Sequence, residues 1–335
     1  MQVIQLLDRF CFGGGERVAL TYQHTFDSLK LNNVIIAIEG ARTDKLAKIQ
    51  LVKNYWVYLV ELIRKIRTAS GGSSCVIAHT NRALVIGLIV KLFFGKKIRL
   101  FYVQHLFYPS YKLRLLSYFQ NAIECLIQIT PITDTLLGQH FLPEKRFYLN
   151  NYLALDSYGS GTQSNDALEN FLHFKGDRQV IAFLGRVTKG KNADHLLKLL
   201  KLLPSEKYVG LILGTGEELE SVRHLAKQWG LTNAFIAGFQ EQPLAFLKNS
   251  DYMFFCSSCD EEMMPMAVLE AKALGCKVIG YSSEINGHII PPSNVVEYDD
   301  CNTVAQKILN DSIEYQDNVF DEEYGYSRFK VLFGL

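Results

Sequence analysis

The chain has 335 residues, 48% of them hydrophobic and 21% charged, with a formal net charge of +1. Length and composition suggest about two soluble globular domains rather than a disordered or fibrous chain. No apolar run reaches the length of a membrane span: the best, Ala83 to Phe94, is too short and is broken by Lys91.

Val3 to Leu7 reads as a first strand. FCFGGGERVAL follows, in which Gly13, Gly14 and Gly15 make a tight loop and Glu16 opens a helix. Strand, glycine loop and helix in that order is the grammar of a phosphate or nucleotide site, and equally of a plain tight turn. It is not the dinucleotide fingerprint, because no third glycine follows at the right distance. Val34 to Ile38 is a second strand, and a long helix is expected over Lys45 to Arg67. Strand Cys75 to Ala78, helix Asn81 to Phe94 and strand Ile98 to Val103 come next, then strands Leu126 to Thr130 and Arg146 to Asn150. Strands alternating with helices argue for a parallel sheet. His105 follows the 98–103 strand, where ligands of parallel sheets bind, although a lone histidine is often satisfied by a backbone group.

Residues 156–178 begin polar and rich in glycine and serine, and are read as a linker between domain 1–155 and domain 179–335. A second series follows. Strand Val180 to Leu184 leads into GRVTKGKN and a helix over Ala193 to Leu203. Strand Tyr208 to Leu213 leads into Gly214-Thr215-Gly216-Glu217 and a helix to Trp229. Strand Ala234 to Ala237 precedes Gly238-Phe239, and strands Tyr252 to Phe255 and Lys277 to Gly280 flank the stretch CDEEMMPMAVLEAKALG. The architecture expected is α/β, with two Rossmann-like domains facing each other across a cleft.

That stretch, Cys259 to Gly275, carries the most chemistry. Pro265 suits the start of a helix and Gly275 its end, so a buried helix is expected from Met264 or Pro265 to Leu274. Glu270 lies inside it, and a buried carboxylate needs a partner: a ligand hydroxyl, or a core Lys or Arg. Glu262 precedes the helix, whose first N–H groups at Met263 to Met266 favour an anion. The seven cysteines are odd in number and irregularly spaced, as in reduced cytosolic proteins. Cys256 and Cys259 form a CxxC with no second pair to complete a metal site. No basic leader precedes an apolar run, so no signal peptide is expected.

Charge is divided. Residues 1–155 hold 19 Lys+Arg against 9 Asp+Glu, a net of +10, and the remainder nets −9. No acidic residue occurs from Leu62 to Ile123, where basic residues alternate with aromatic ones. This is either a solvated face or one that meets something anionic.

Taken together these motifs resemble family-4 glycosyltransferases of the GT-B fold. The resemblance rests on GGGER at Gly13 to Arg17, GR at Gly185-Arg186 with Lys191 five residues on, and GTGEE at Gly214 to Glu218. It is completed by GF at Gly238-Phe239 and by Glu262 and Glu270, with seven residues between them and LEA following. It covers most of the C-terminal half; the N-terminal half matches at the glycine loop and His105. The loop YSSEINGHIIPPSN is shorter than the family's, and Tyr326 to Phe333 is the candidate for a helix crossing back to the first domain.

The resemblance implies retaining transfer of a hexose or N-acetylhexosamine from a nucleotide diphosphate sugar, a UDP-sugar above all, to a glycan or lipid-linked acceptor. Arg186 and Lys191 would bind the diphosphate, where two fixed cations meet the charge that grows on the leaving phosphate. Glu262 would hold sugar hydroxyls and Glu270 the ribose. Gly14 and Gly15 would let the backbone approach, and His105 would touch the transferred sugar. Gly214, Phe239, Met264, Pro265 and Met266 complete the donor site. No Asp-x-Asp occurs, so no metal or other cofactor is expected. Bacterial surface polysaccharide or lipopolysaccharide synthesis is the implied setting. The expected location is cytoplasmic, peripheral on the inner face of an anionic membrane, with no nucleic-acid polymer as partner. Two rivals stand beside this reading: a nicotinamide-dependent oxidoreductase, for which Glu39 after the second strand would serve, and a non-catalytic sugar-nucleotide-binding protein.

Overall fold

Nearly every short apolar run becomes a parallel strand, and the structure, a computed structural model, describes residues 1–10, 13–40, 48–69, 73–154, 166–258, 263–283 and 286–335. They form two units, one of Met1–Ser157, Glu261–Met264 and Phe320–Leu335, the other of Tyr158–Asp260 and Pro265–Val319.

In the first unit β1 (Gln2–Arg9), β2 (Asn32–Ile38), β3 (Ile49–Val52), β4 (Ser74–Ala78), β5 (Ile98–Gln104), β6 (Cys125–Gln128) and β7 (Arg146–Tyr148) make one sheet in the order β3-β2-β1-β4-β5-β6-β7. Its pairs are parallel, and Gln5 of β1 lies between Ile35 and Ile77. Helices α1 (Gly14–Ser28), α2 (Tyr55–Arg67), α3 (Asn81–Phe94), α4 (Ser110–Ser117) and α5 (Asp134–Gly138) connect the strands. The inner strands are buried on both faces, so they read as continuous apolar runs rather than alternating ones, while the edge strands β3 and β7 are half-buried.

The second unit repeats the plan. Strands β8 (Gln179–Leu184), β9 (Tyr208–Leu213), β10 (Ala234–Gly238), β11 (Tyr252–Phe255), β12 (Lys277–Tyr281) and β13 (Val295–Val296) form a parallel sheet ordered β10-β9-β8-β11-β12-β13. Its helices are α6 (Asp166–Lys175), α7 (Ala193–Leu200), α8 (Leu219–Gln228), α9 (Pro243–Leu247), α10 (Met266–Ala273), α11 (Asn286–Ile289) and α12 (Cys301–Leu309). The last helix, α13 (Glu322–Phe333), belongs to the first unit. Its Phe329 and Phe333 pack against Tyr22, Phe26 and Phe101, with ring centroids 4.7–5.9 Å apart. Gly325 is obligatory there, because a Cβ would lie 2.2 Å from the Tyr152 ring.

Two expectations are corrected. The helix expected over Lys45 to Arg67 is strand β3 followed by α2. Ile49-Gln50-Leu51-Val52 pairs along β2, and the Asn54 side chain accepts from Trp56 N and Val57 N, so the helix cannot start earlier. Residues 41–47 lie outside the described residues. The linker expected over 156–178 is helical from Asp166, because Leu168, Phe171 and Phe174 share one face and pack on the second sheet. Residues 155–165 lie outside the described residues.

Each sheet order reverses direction once, between β1 and β4 and between β8 and β11. Connections leave a parallel sheet in opposite directions at such a point, which opens a crevice at the carboxyl ends of its strands. The loops after β1, β4, β8 and β11 border those two crevices.

Candidate active site

In the second unit the loop after β8 carries Arg186 and Lys191. Gly185 N donates to Leu213 O at 3.0 Å, Val187 N to Thr215 O at 3.0 Å and Glu218 N to Val187 O at 3.0 Å. Gly214 N donates in turn to Gly238 O at 2.8 Å, so the loops after β8, β9 and β10 are laced by backbone bonds. Gly214 has φ +138°, and a Cβ there would lie 1.8 Å from Gly185 O. A Cβ on Gly216 would lie 2.3 Å from Val187 O. The two glycines of GTG therefore let one loop lie directly on the other, which fixes where Arg186 leaves the sheet. Arg186 itself is exposed.

Lys191 ends a short 3₁₀ turn. Asn192 follows in the left-handed region, φ 51°, and its buried amide donates to Cys256 O at 2.8 Å. Ser258 N donates to Gly190 O at 3.0 Å. The Lys191 loop is thus tied to the loop after β11, and its ammonium lies 6.0 Å from the centre of the Phe255 ring. The Cys256 thiol points at Asn192 O, 3.1 Å away, and burial raises its pKa far above the usual thiol value. It is a structural thiol. Its CxxC partner Cys259 lies outside the described residues, as does Glu262.

Met264 and Pro265 are half-buried and Met266 is buried. Met264 O accepts from Asn151 Nδ2 at 2.9 Å within the first unit. Pro265 caps α10 without a side-chain bond, and Val268 N turns back to Pro265 O at 3.1 Å; the N–H groups that open a helix are the ones that can meet an oxygen of another molecule. Glu270 is wholly buried in α10. Two residues on, Lys272 donates from Nζ to Ile289 O at 3.1 Å and to Gln316 Oε1 at 3.2 Å, and also to Asn318. Burial brings its pKa down to about 8. Phe239 stands exposed at the end of β10.

In the first unit Gly13 caps α1 without a side-chain bond, and Gly14 and Gly15 form its first turn. Around Gly14 a Cβ would meet nothing within 4 Å, so the turn is open on that side. Gly15 lies beside His105: its Cβ would be 3.9 Å from His105 Cδ2. The loop and the histidine, 90 residues apart in the chain, meet because β5 is two strands from β1. His105 Nε2 is 3.0 Å from His79 Nδ1, and His79 Nε2 is 2.9 Å from Gln5 Oε1. Burial lowers the His79 pKa well below its ordinary value and brings that of His105 down to about 4, so both rings are neutral at pH 7.

Sequence reasoning missed His79, Gln5 and Asn192, and quoted Gly216 only as part of GTGEE, without a role. His79 follows strand β4 as His105 follows β5, and the placement that singled out one applies to the other. Asn192 had the signal that asparagine enters the left-handed region at low cost.

Residues 164–312 match the family model described as glycosyl transferases group 1. That match falls on the second unit and takes in α6, the helix that leads into its sheet. An uncharacterised glycosyltransferase of Methanocaldococcus jannaschii is 27% identical over 216 residues, covering 62% of this chain but only 48% of the relative, so the match spans about half of that protein's length. Anabaena HepE, solved in complex with UDP and glucose, superposes over 100% of both chains with TM-score 0.77 at 14% identity. The lipopolysaccharide outer core galactosyltransferase WaaB is similar over 100% of this chain and 99% of its own, with TM-score 0.61 and 16% identity. The chain has the fold of these GT-B proteins, two parallel-sheet α/β domains. The second unit holds Arg186, Lys191, Gly214, Phe239, Pro265, Met266 and Glu270, while Gly14, Gly15, His105 and Met264 belong to the first unit.

Proposed function

We propose that the chain is a retaining glycosyltransferase that takes a hexose or N-acetylhexosamine from a UDP-sugar and passes it to a glycan or lipid-linked acceptor. The observation that carries this reading is the placing of Arg186 and Lys191. Both leave the carboxyl end of β8 at the sheet's reversal point, on a loop fixed by backbone bonds to its neighbours. Cations held there meet the diphosphate of the donor. As the glycosidic bond lengthens, charge builds on the β-phosphate, and pre-positioned cations stabilise that state without having to move. The start of α10, at Met266 and Ala267, adds N–H donors to the same phosphates. Glu270 accepts from the ribose hydroxyls, Phe239 contacts the base, and Glu262 and His105 hold the sugar.

No carboxylate is assigned as a nucleophile. The acceptor hydroxyl attacks on the face that the phosphate leaves, and the departing phosphate oxygen takes its proton. All positive charge in this scheme comes from side chains and backbone, so activity is expected to survive chelation. UDP in HepE and the group 1 match support the donor assignment, and WaaB is consistent with a role in surface polysaccharide synthesis.

The +10 charge of residues 1–155 supports a further part of the reading, a peripheral place on an anionic membrane. Trp56 on α2 and Leu92 and Phe93 on α3 are 74%, 84% and 83% exposed, and α3 and the turn after it also carry Arg82, Lys91, Lys96 and Lys97. No helix among the described residues is long and apolar enough to cross a membrane.

The deciding experiment is a thermal-shift screen against UDP, GDP, ADP and their sugars, followed by donor hydrolysis with and without chelator. A ligand that binds the folded state raises its melting temperature. UDP-sugars should shift it most. A shift by nicotinamide dinucleotides alone, or activity lost in chelator and restored by magnesium or manganese, would overturn the donor or the metal-free part.

A further inference from the structure

Three polar side chains form a line across the carboxyl end of the first sheet, from β5 through β4 to β1. His105 Nε2 meets His79 Nδ1 at 3.0 Å, and His79 Nε2 meets Gln5 Oε1 at 2.9 Å. Gln5 Nε2 donates to Ala19 O of α1 at 2.9 Å. Gln5 is fully buried and His79 is 4% exposed. The two imidazole planes lie within 14° of parallel.

The far end of this line decides its direction. A carbonyl oxygen can only accept, so Ala19 O requires the NH₂ of the Gln5 amide on its side. That turns Gln5 Oε1, also an acceptor, toward His79, and His79 Nε2 must carry a proton. A second proton on His79 would make a buried cation, and no carboxylate touches it among the described residues; burial alone disfavours that form. His79 Nδ1 is therefore a lone pair, and His105 Nε2 must donate to it. A neutral His105 that is protonated at Nε2 has its lone pair at Nδ1, which meets no partner among the described residues. Its Cδ2 edge faces Gly15 at the start of α1.

We propose that His79 and Gln5 are positioning residues that set the proton on His105, so that His105 presents Nδ1 to the substrate solely as a hydrogen-bond acceptor. His105 then selects a hydroxyl, which can donate, and gives nothing to a phosphate oxygen, which cannot. This rests on the reading of His105 as a sugar contact, and assigns it a hydroxyl of the sugar rather than the diphosphate. Gln5 acts from the interior of β1, through two intervening side chains.

The test is long-range ¹H–¹⁵N correlation of ¹⁵N-histidine-labelled protein at pH 7, with His79 and His105 assigned from the His79→Gln and His105→Gln variants. Both rings should show a protonated Nε2 and a bare Nδ1. His79→Phe keeps the ring but removes the acceptor, so the Nδ1-protonated form of His105 should appear. In that variant kcat/KM with UDP-glucose should fall about tenfold, the worth of one ordinary hydrogen bond. His79→Gln, whose carbonyl can still accept from His105, should restore both. A His105 protonated at Nδ1 or at both nitrogens in the wild type would overturn the proposal, as would an unchanged tautomer in His79→Phe. Adding UDP-glucose to the wild type separates the two readings: if the tautomers are as expected but the His105 Nδ1 signal does not move, the proton line stands and the sugar contact fails.

Discussion

Replacing Gly214 by alanine tests whether the glycines after β9 act on the loop after β8 through space rather than through a ligand. The added Cβ would lie 1.8 Å from Gly185 O and 2.9 Å from Gly185 C. Non-bonded atoms settle at roughly 3.5–4.0 Å, so something must move by well over an ångström. Backbone on both sides resists, because Gly185 N is bonded to Leu213 O and Gly214 N to Gly238 O. Overpacking of this kind costs roughly 1–3 kcal/mol, and φ +138° adds strain of roughly 1–3 kcal/mol for a residue with a side chain. The expected loss is about 2–6 kcal/mol, a large part of the roughly 5–15 kcal/mol that holds a domain together.

Gly230→Ala is the control. Its φ is +63° but nothing lies within 4 Å of the new Cβ, so only backbone strain of about 1–2 kcal/mol applies. Urea denaturation of both variants against the wild type, with the slope checked for constancy, measures the difference. Donor hydrolysis below both melting points should show Gly214→Ala depressed about a hundredfold, because Arg186 directly follows Gly185 and a 1 Å misplacement costs that much. If Gly214→Ala is no less stable than Gly230→Ala and hydrolyses donor normally, the steric account of the loop is wrong.

Arg186→Ala should lower turnover by roughly 10²–10³ while the exposed position leaves the melting temperature near wild type; normal turnover would remove Arg186 from the diphosphate. Glu270→Gln keeps the shape of the buried side chain and should weaken UDP binding roughly tenfold or more by calorimetry, the worth of a charge-assisted bond; unchanged affinity would make Glu270 a core residue only. His105 has its folded pKa near 4 against 6.5, so the unfolded chain binds its proton first. Stability should fall as the pH drops from about 6.5 to about 4, by up to about 3 kcal/mol relative to His105→Gln; parallel pH profiles would refute this. Vesicle co-sedimentation should rise with anionic lipid and fall with salt, and replacing Lys96, Lys97, Arg99, Lys112 and Arg114 by glutamine should abolish it. Equal binding to neutral vesicles would sink the membrane part.

The strands were legible because both faces of each sheet are covered, so the pattern is a plain apolar run bounded by turn residues. The region before α2 was not, because Ile49 to Val52 and the apolar residues after Asn54 merge into one periodic stretch. Only the Asn54 cap divides them. That Arg186 and Lys191 lie on the loop after β8 was legible, since the segment that holds both directly follows an apolar run. The role of Gly214 and Gly216 was not, since it depends on which loop lies on which. The Gln5–His79–His105 line joins residues 74 and 26 apart along the chain, and only the order β1-β4-β5 brings them into register.

The docking of α13 on the first unit bears on how the protein is made. Tyr22 and Phe26 of α1 and Phe101 of β5 emerge from the ribosome early, yet the rings that cover them are Phe329 and Phe333. Between Ser157 and Phe320 the second unit must be synthesised almost entire. At roughly 5–20 residues per second this leaves the first unit with an open apolar flank for roughly ten to thirty seconds. During that interval the flank is a natural substrate for a holdase chaperone, and the N-terminal half, though translated first, is the last to finish folding.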